Sequence, residues 1–136
     1  MTKTTNYQLN QWAKSDRIRM DDFNADNQKI DAALATMPRI VTGTYTGDGA
    51  ASRNIYLGFQ PSAVLVMRSG IDLGSSGGGS SSQKYGGLAL RDHKAGDSTG
   101  YPVEITETGF RVFEDGTRNY VRTNMSNASY SYVAFA

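Results

Sequence analysis

The stretch Met20–Met37, MDDFNADNQKIDAALATM, decides how the chain is organised. Its positions Met20, Phe23, Asn27, Ile30, Leu34 and Met37 follow one another at alternating spacings of three and four residues. That is a heptad seam, with Met20, Asn27 and Leu34 at a and Phe23, Ile30 and Met37 at d. Asp21, Asp22, Asp26, Gln28, Lys29 and Asp31 fill the other face, and the early carboxylates sit where the positive end of the helix dipole favours them. Pro38 cannot continue a helix, so the spacing predicts a helix over 20–38.

A lone helix of this length is marginal in water and cannot bury its own seam. Either the following domain of the same chain covers it, or identical helices from other chains do. A polar residue at one a position, here Asn27, sets register and oligomer state at some cost in stability. The expectation is therefore self-association through Met20, Phe23, Asn27, Ile30, Leu34 and Met37, with an amphipathic helix packed on its own β-domain as the alternative.

Working outward, the 136 residues suffice for one globular domain plus extensions. Lys and Arg number 14 against 13 Asp and Glu, a formal charge of +1, so no broad electrostatic footprint for nucleic acid or an anionic membrane is expected. Cysteine is absent, which excludes disulfides, thiolate metal sites and cysteine nucleophiles. The opening MTKTTNYQLNQW has no apolar signal core and no stretch is long enough to span a bilayer; synthesis in a cytoplasm without a cleaved signal is the expectation.

Residues 1–19 are polar and lack helical periodicity, and read as an extended attachment arm. Tyr7, Leu9 and Trp12, the only Trp, are its candidate docking residues. Residues 39–136 carry short β-branched and aromatic runs between Gly, Asp and Ser turns. Ile40–Thr46 and Asn54–Phe59 read as a hairpin around Gly47, Asp48 and Gly49, and Ala63–Met67, AVLVM, as a central strand buried on both faces. Val103–Thr106 pairs with Phe110–Glu114, and Asn119–Thr123 with Ser129–Phe135, the last strand carrying the C-terminus into the sheet. About seven antiparallel strands make a small β-sandwich. The fold class is mainly β: an arm, one coiled-coil-like helix, and a sandwich.

Catalytic chemistry has little support. His93 is the sole histidine and sits in RDHKAGD without triad or metal partners. Most of the carboxylates from Asp48 to Asp115 fall in turns or at solvent-facing strand positions, which argues against a glycosidase pair. The SSGGGSS run lacks the Lys-Ser/Thr ending of a phosphate loop. No cofactor, metal or enzymatic activity is expected. Recognition fits better, because exposed tyrosine offers stiff amphipathic contact area for sugars or proteins. Around the Gly/Ser-rich stretch Ser69–Gly87 and the polar stretch Arg91–Gly100, the contact candidates are Lys84, Tyr85, Arg91, Asp92, His93, Asp97 and Tyr101.

SDRIRMDDFNADNQKIDAAL, within Asn6–Leu34, resembles the N-terminal segment of tail-fibre and baseplate-associated proteins of phages and prophages of Gram-positive bacteria. GFQPSAVLVM, ETGFRVFE and YSYVAFA are similar, in order, to the strands of small trimeric tail-fibre tip domains with an H-type-lectin-like sandwich. The resemblance implies a homotrimer on a virion or phage-tail-like particle, with the arm on other tail or baseplate proteins and the sandwich facing a host surface glycan or protein. A purely structural tail or baseplate component is the alternative, and a polysaccharide-degrading enzyme a more distant one.

Overall fold

The computed structural model describes residues 1–71, 74–75, 83–96, 100–115 and 120–136. It is mainly β, with antiparallel sheets and, among the described residues, a single helix. The chain divides into two compact bodies, Met1–Pro38 and Arg39–Ala136.

In the first body, β1 (Thr2–Lys3) pairs antiparallel with β2 (Asn10–Gln11), and α1 spans Met20–Ala35. The arm is therefore not extended. It folds into a small hairpin that turns through Gln8 in the left-handed region, at φ 55°. Scattered apolar points account for the difference, because an extended chain would leave Leu9 and Trp12 in water, whereas the hairpin lays both half-buried against the helix. The helix starts after Arg19, which offers no side-chain cap, with Asp21 and Asp22 in its first turn. It ends at Thr36, whose Oγ1 donates to the Ala33 carbonyl at 3.0 Å just before Pro38.

The second body contains β3 (Ile40–Thr46), β4 (Ser52–Tyr56), β5 (Ala63–Arg68), β6 (Gly74–Ser75), β7 (Gln83–Lys84), β8 (Gly87–Leu90), β9 (His93–Lys94), β10 (Val103–Thr106), β11 (Gly109–Phe113) and β12 (Ser129–Phe135). A five-stranded sheet runs β3-β12-β5-β8-β9, and a three-stranded sheet runs β10-β11-β4. Their inner faces share one core. Val64, Val66, Ala89, Tyr130 and Ala134 come from the larger sheet and Val103, Phe110 and Val112 from the smaller, all at 0% exposure. The β10–β11 hairpin forms in the expected place, with Val103 opposite Val112 and the turn at Glu107 and Thr108.

Two expected pairings do not form. β3 and β4 lie in different sheets, so residues 47–51 are a crossing between layers, not a hairpin turn. Gly47 runs so close to the 124–128 loop that a Cβ would sit 2.0 Å from the Met125 carbonyl oxygen. Gly49 N donates to the Asn124 carbonyl at 2.8 Å, and the fully buried Asn124 side chain donates to Asp48 Oδ1 at 2.6 Å and the Ala50 carbonyl at 3.0 Å. These long-range hydrogen bonds hold the chain leaving β3 away from its sequence neighbour. Of the expected strand Asn119–Thr123, Asn119 lies outside the described residues and 120–123 likewise do not pair with the last strand. Val121 bridges Lys84, Arg122 bridges Glu114, and β12 inserts between β3 and β5.

The run Ala63–Met67 is central, but it is covered on one face only. Val64 and Val66 are buried while Met67 on the opposite face is 48% exposed, because the three-stranded sheet lies against one side alone.

Tyr45 and Tyr130 stack at 4.8 Å with an interplanar angle of 9°, and Phe110 meets Tyr45 and Tyr132 edge-on at 6.4 and 5.0 Å. Burial pushes both stacked hydroxyls above the ordinary tyrosine range, so they stay protonated and donate. Tyr45 Oη donates to the Thr123 carbonyl at 2.5 Å; Tyr130 Oη donates to the Arg122 carbonyl at 2.7 Å and accepts from Met125 N at 3.1 Å. Tyr130→Phe strips partners from both a backbone carbonyl and an amide, and is expected to lower stability by about 1–3 kcal/mol in urea unfolding followed by circular dichroism. Tyr45→Phe, which strips one, should cost less.

Candidate functional site

Two surfaces carry the residues that the sequence points to, one on each body.

On the first body the seam is only partly covered. Met20, Phe23, Ile30, Leu34 and Met37 are 77, 49, 42, 61 and 62% exposed, Asn27 is exposed, and no residue of α1 is buried. The arm sits on part of the same helix. Trp12 stacks on Phe23 with ring centroids 5.8 Å apart, and Tyr7 and Leu9 line a hollow of about 220 Å³ together with Ile30, Ala33, Leu34 and Met37. Polar ties hold it there: Asn10 N donates to Asp26 Oδ2 at 2.9 Å and Lys29 Nζ to the Gln8 carbonyl at 2.6 Å. The proposed docking residues and the proposed seam thus form one continuous apolar surface, which sequence separation had kept apart.

On the second body the contact candidates fall in three places. Lys84 and Tyr85 precede β8. Lys84 N donates to the Tyr120 carbonyl at 2.7 Å, the Tyr85 ring lies under the Arg68 guanidinium at 5.4 Å, and its hydroxyl bonds Gln83 Oε1. Arg91 follows β8 and folds back, its Nε and Nη2 donating to the Pro61 and Gln60 carbonyls at 3.3 and 3.2 Å. This side chain ties down a turn. Asp92 and His93 are exposed beside it, at the far end of β8 from Tyr85. Asp97 lies outside the described residues.

Tyr101 stands elsewhere, 46% exposed, with Lys94 Nζ 5.4 Å from its ring centroid. Lys94 also pairs with Glu104 at 2.5 Å, and Arg111 approaches the other Glu104 oxygen at 3.6 Å. Tyr101 lines a cavity of about 240 Å³ with Ala51, Gly100, Phe113, Glu114, Asp115 and Val121. The lining is mostly apolar except for its carboxylates. Glu114 Oε1 lies 3.4 Å from Arg122 Nε, yet Glu114 Oε2 and Arg122 Nε are buried without a hydrogen-bond partner. Burial raises the Glu114 carboxyl above its ordinary range, and the Arg122 charge only partly offsets this.

Such a hollow can seat a small apolar group against the aromatic and valine walls while the unsatisfied carboxylate oxygen accepts from a hydroxyl or amide of the same ligand. Sequence reasoning placed Glu114 among solvent-facing carboxylates. The strand period carries the missing signal, since Phe110, Val112 and Glu114 share one face of a strand and the first two are core. Among the described residues no three His, Asp or Glu side chains gather as a metal site, and no helix is long and apolar enough to cross a membrane.

Compared with protein families, with curated proteins and with solved structures, the chain shows no match.

Two measurements probe these surfaces. A group with a raised folded pKa contributes stability below its unfolded pKa that is lost as pH rises through the folded value. For Glu114 that window opens above the ordinary glutamate range of about 4.3. Glu114→Gln, which mimics the protonated form, should match the parent at acid pH and become relatively more stable as pH rises, read from urea midpoints across the window. On the other body, the sole Trp reports arm packing, and Phe23→Ala should red-shift its emission by removing the stacked ring.

Proposed function

We propose that this chain is a tail-fibre tip or receptor-binding component of a phage or phage-tail-like particle, assembled as a homotrimer and attaching to a host surface glycan or protein without catalysis. The observation that carries it is the seam, which the arm covers only in part. Met20, Phe23, Ile30, Leu34 and Met37 stay exposed on a helix whose heptad spacing and central Asn27 suit identical partners. Tyr7, Leu9 and Trp12, seated beside that seam, are the attachment residues toward other tail or baseplate proteins. The β-body, an antiparallel layered domain of the kind the resemblance implies, carries the contact surface.

The Tyr101 cavity is the most developed contact candidate on that body, since it joins a half-exposed ring to a half-buried carboxylate whose buried Oε2 is an unused acceptor. Such a site binds weakly alone; three per trimer and several trimers per particle raise the avidity without a new contact. A second reading, a structural tail part with no receptor, draws support from Arg91 and Tyr85, whose polar groups are spent on internal contacts.

Binding of labelled protein to host-type cells separates the two. Tyr101→Ala should weaken cell binding by about tenfold at unchanged oligomer mass. Cell binding that ignores Tyr101→Ala, with particle assembly abolished by Trp12→Ala, would establish the structural reading instead.

A further inference from the structure

Glu114 follows β11 on the face it shares with the buried Phe110 and Val112, and its side chain is only 11% exposed. Arg122 Nε approaches Oε1 at 3.4 Å, but the buried Oε2 has no donor. A carboxylate oxygen withdrawn from water without a partner is costly, and a donor delivered from outside removes that cost. The cavity of about 240 Å³ beside it is walled by Ala51, Phe113, Val121 and the half-exposed Tyr101 ring. These walls decide which donor fits. An anion is repelled by the carboxylate. A sugar brings several hydroxyls to a mostly apolar lining that leaves them unpaired. A straight alkyl chain ending in an ammonium matches both parts, because its methylenes cover apolar side chains while its head makes a charge-assisted hydrogen bond, roughly twice as strong as a neutral one. The aromatic wall suits a cation as well: Lys94 Nζ already lies 5.4 Å from the Tyr101 ring centroid, with its own charge balanced by Glu104 at 2.5 Å.

We propose that the Tyr101 cavity takes the ammonium end of an aliphatic chain, a lysine side chain of a protein partner, its stem against Phe113, Val121 and Tyr101 and its head donating to Glu114 Oε2. This ligand class rests on the contact role given to the cavity above and narrows the partner to a protein. The pairing requires the ionised carboxylate. Burial raises the Glu114 carboxyl, the neighbouring Asp115 adds to the rise, and Arg122 and Arg68 oppose it. Binding of a cation therefore weakens as pH falls through the raised Glu114 range, whereas binding of a neutral ligand through its hydroxyl does not depend on that charge in the same way.

The test titrates the full chain, labelled with nitrogen-15, against n-butylammonium, its neutral counterpart 1-butanol, and glucosamine, read from amide chemical shifts. The expected result is saturable shifts at Tyr101, Phe113 and Val121 with n-butylammonium, at an affinity at least about tenfold above that for 1-butanol, and loss of that difference in Glu114→Gln. Should the variant not fold, the parent titrated at falling pH gives the same reading, since the preference for the cation is expected to fade as Glu114 protonates. Equal affinity for 1-butanol, a preference untouched by both Glu114→Gln and pH, or no shift at these amides overturns the proposal. Tighter binding of glucosamine than of n-butylammonium overturns the lysine assignment in favour of an amino sugar. Host-cell binding lost in Tyr101→Ala without any preference for the ammonium overturns the ligand class and leaves the contact reading standing. The ammonium preference together with host-cell binding that ignores Tyr101→Ala supports the ligand class and overturns the cavity's role in host contact.

Discussion

Two tyrosine hydroxyls buried in one core must find partners, and the segment that supplies them determines the rest of the β-body. Tyr45 and Tyr130 stand on neighbouring strands, stacked within the five-stranded sheet, and both donate to carbonyls of residues 122 and 123. An unsatisfied hydroxyl in that position would cost as much as several ordinary hydrogen bonds contribute. The irregular 120–128 segment is therefore held against the core although it makes only isolated bridges. Thr123 completes the anchorage, its Oγ1 donating to the Pro102 carbonyl at 2.7 Å and accepting from Phe113 N at 2.9 Å.

The same segment controls how the chain passes between layers. Once residues 123 and 124 are pinned, the Asn124 amide is available to hold Asp48 and Ala50, and the chain leaving β3 is drawn across to the smaller sheet. The Ala50 amide and the Asn124 side chain in turn hold the Asp48 carboxyl below its ordinary range. Glu114, at the end of β11, shows the opposite balance, with burial outweighing its arginine. The cavity beside Tyr101 lies where the pinned segment and β11 come together.

The packing leaves part of each body exposed. The β-body places Tyr45, Phe110 and Tyr130 in the core, while Ile40, Met67, Leu88 and Leu90 on the outer sheet face stay exposed. The helical body does the same with its seam, to which the arm contributes three aromatic and aliphatic residues. Several carboxylates of the β-body are paired: Glu104 with Lys94 and Arg111, one Glu114 oxygen with Arg122, and Asp48 with Arg53.

Local rules read directly from the sequence determined the helix over Met20–Ala35, the β10–β11 hairpin, the central place of Ala63–Met67 and the C-terminal strand, because each depends on periodicity or a stop signal within a few residues. The rest was decided only by the tertiary structure. Whether Ile40–Thr46 pairs with its neighbour or with β12 turns on hydrogen bonds to Asn124, 76 residues beyond Asp48, and no local window contains both partners. The arm's hairpin, the return of Arg91 onto Gln60 and Pro61, and the burial of Glu114 depend likewise on contacts distant in sequence. Periodicity states which face of a strand is apolar; only packing states whether something covers it. On the outer sheet face Met67, Leu88 and Leu90 stay exposed while Leu65 is half-buried.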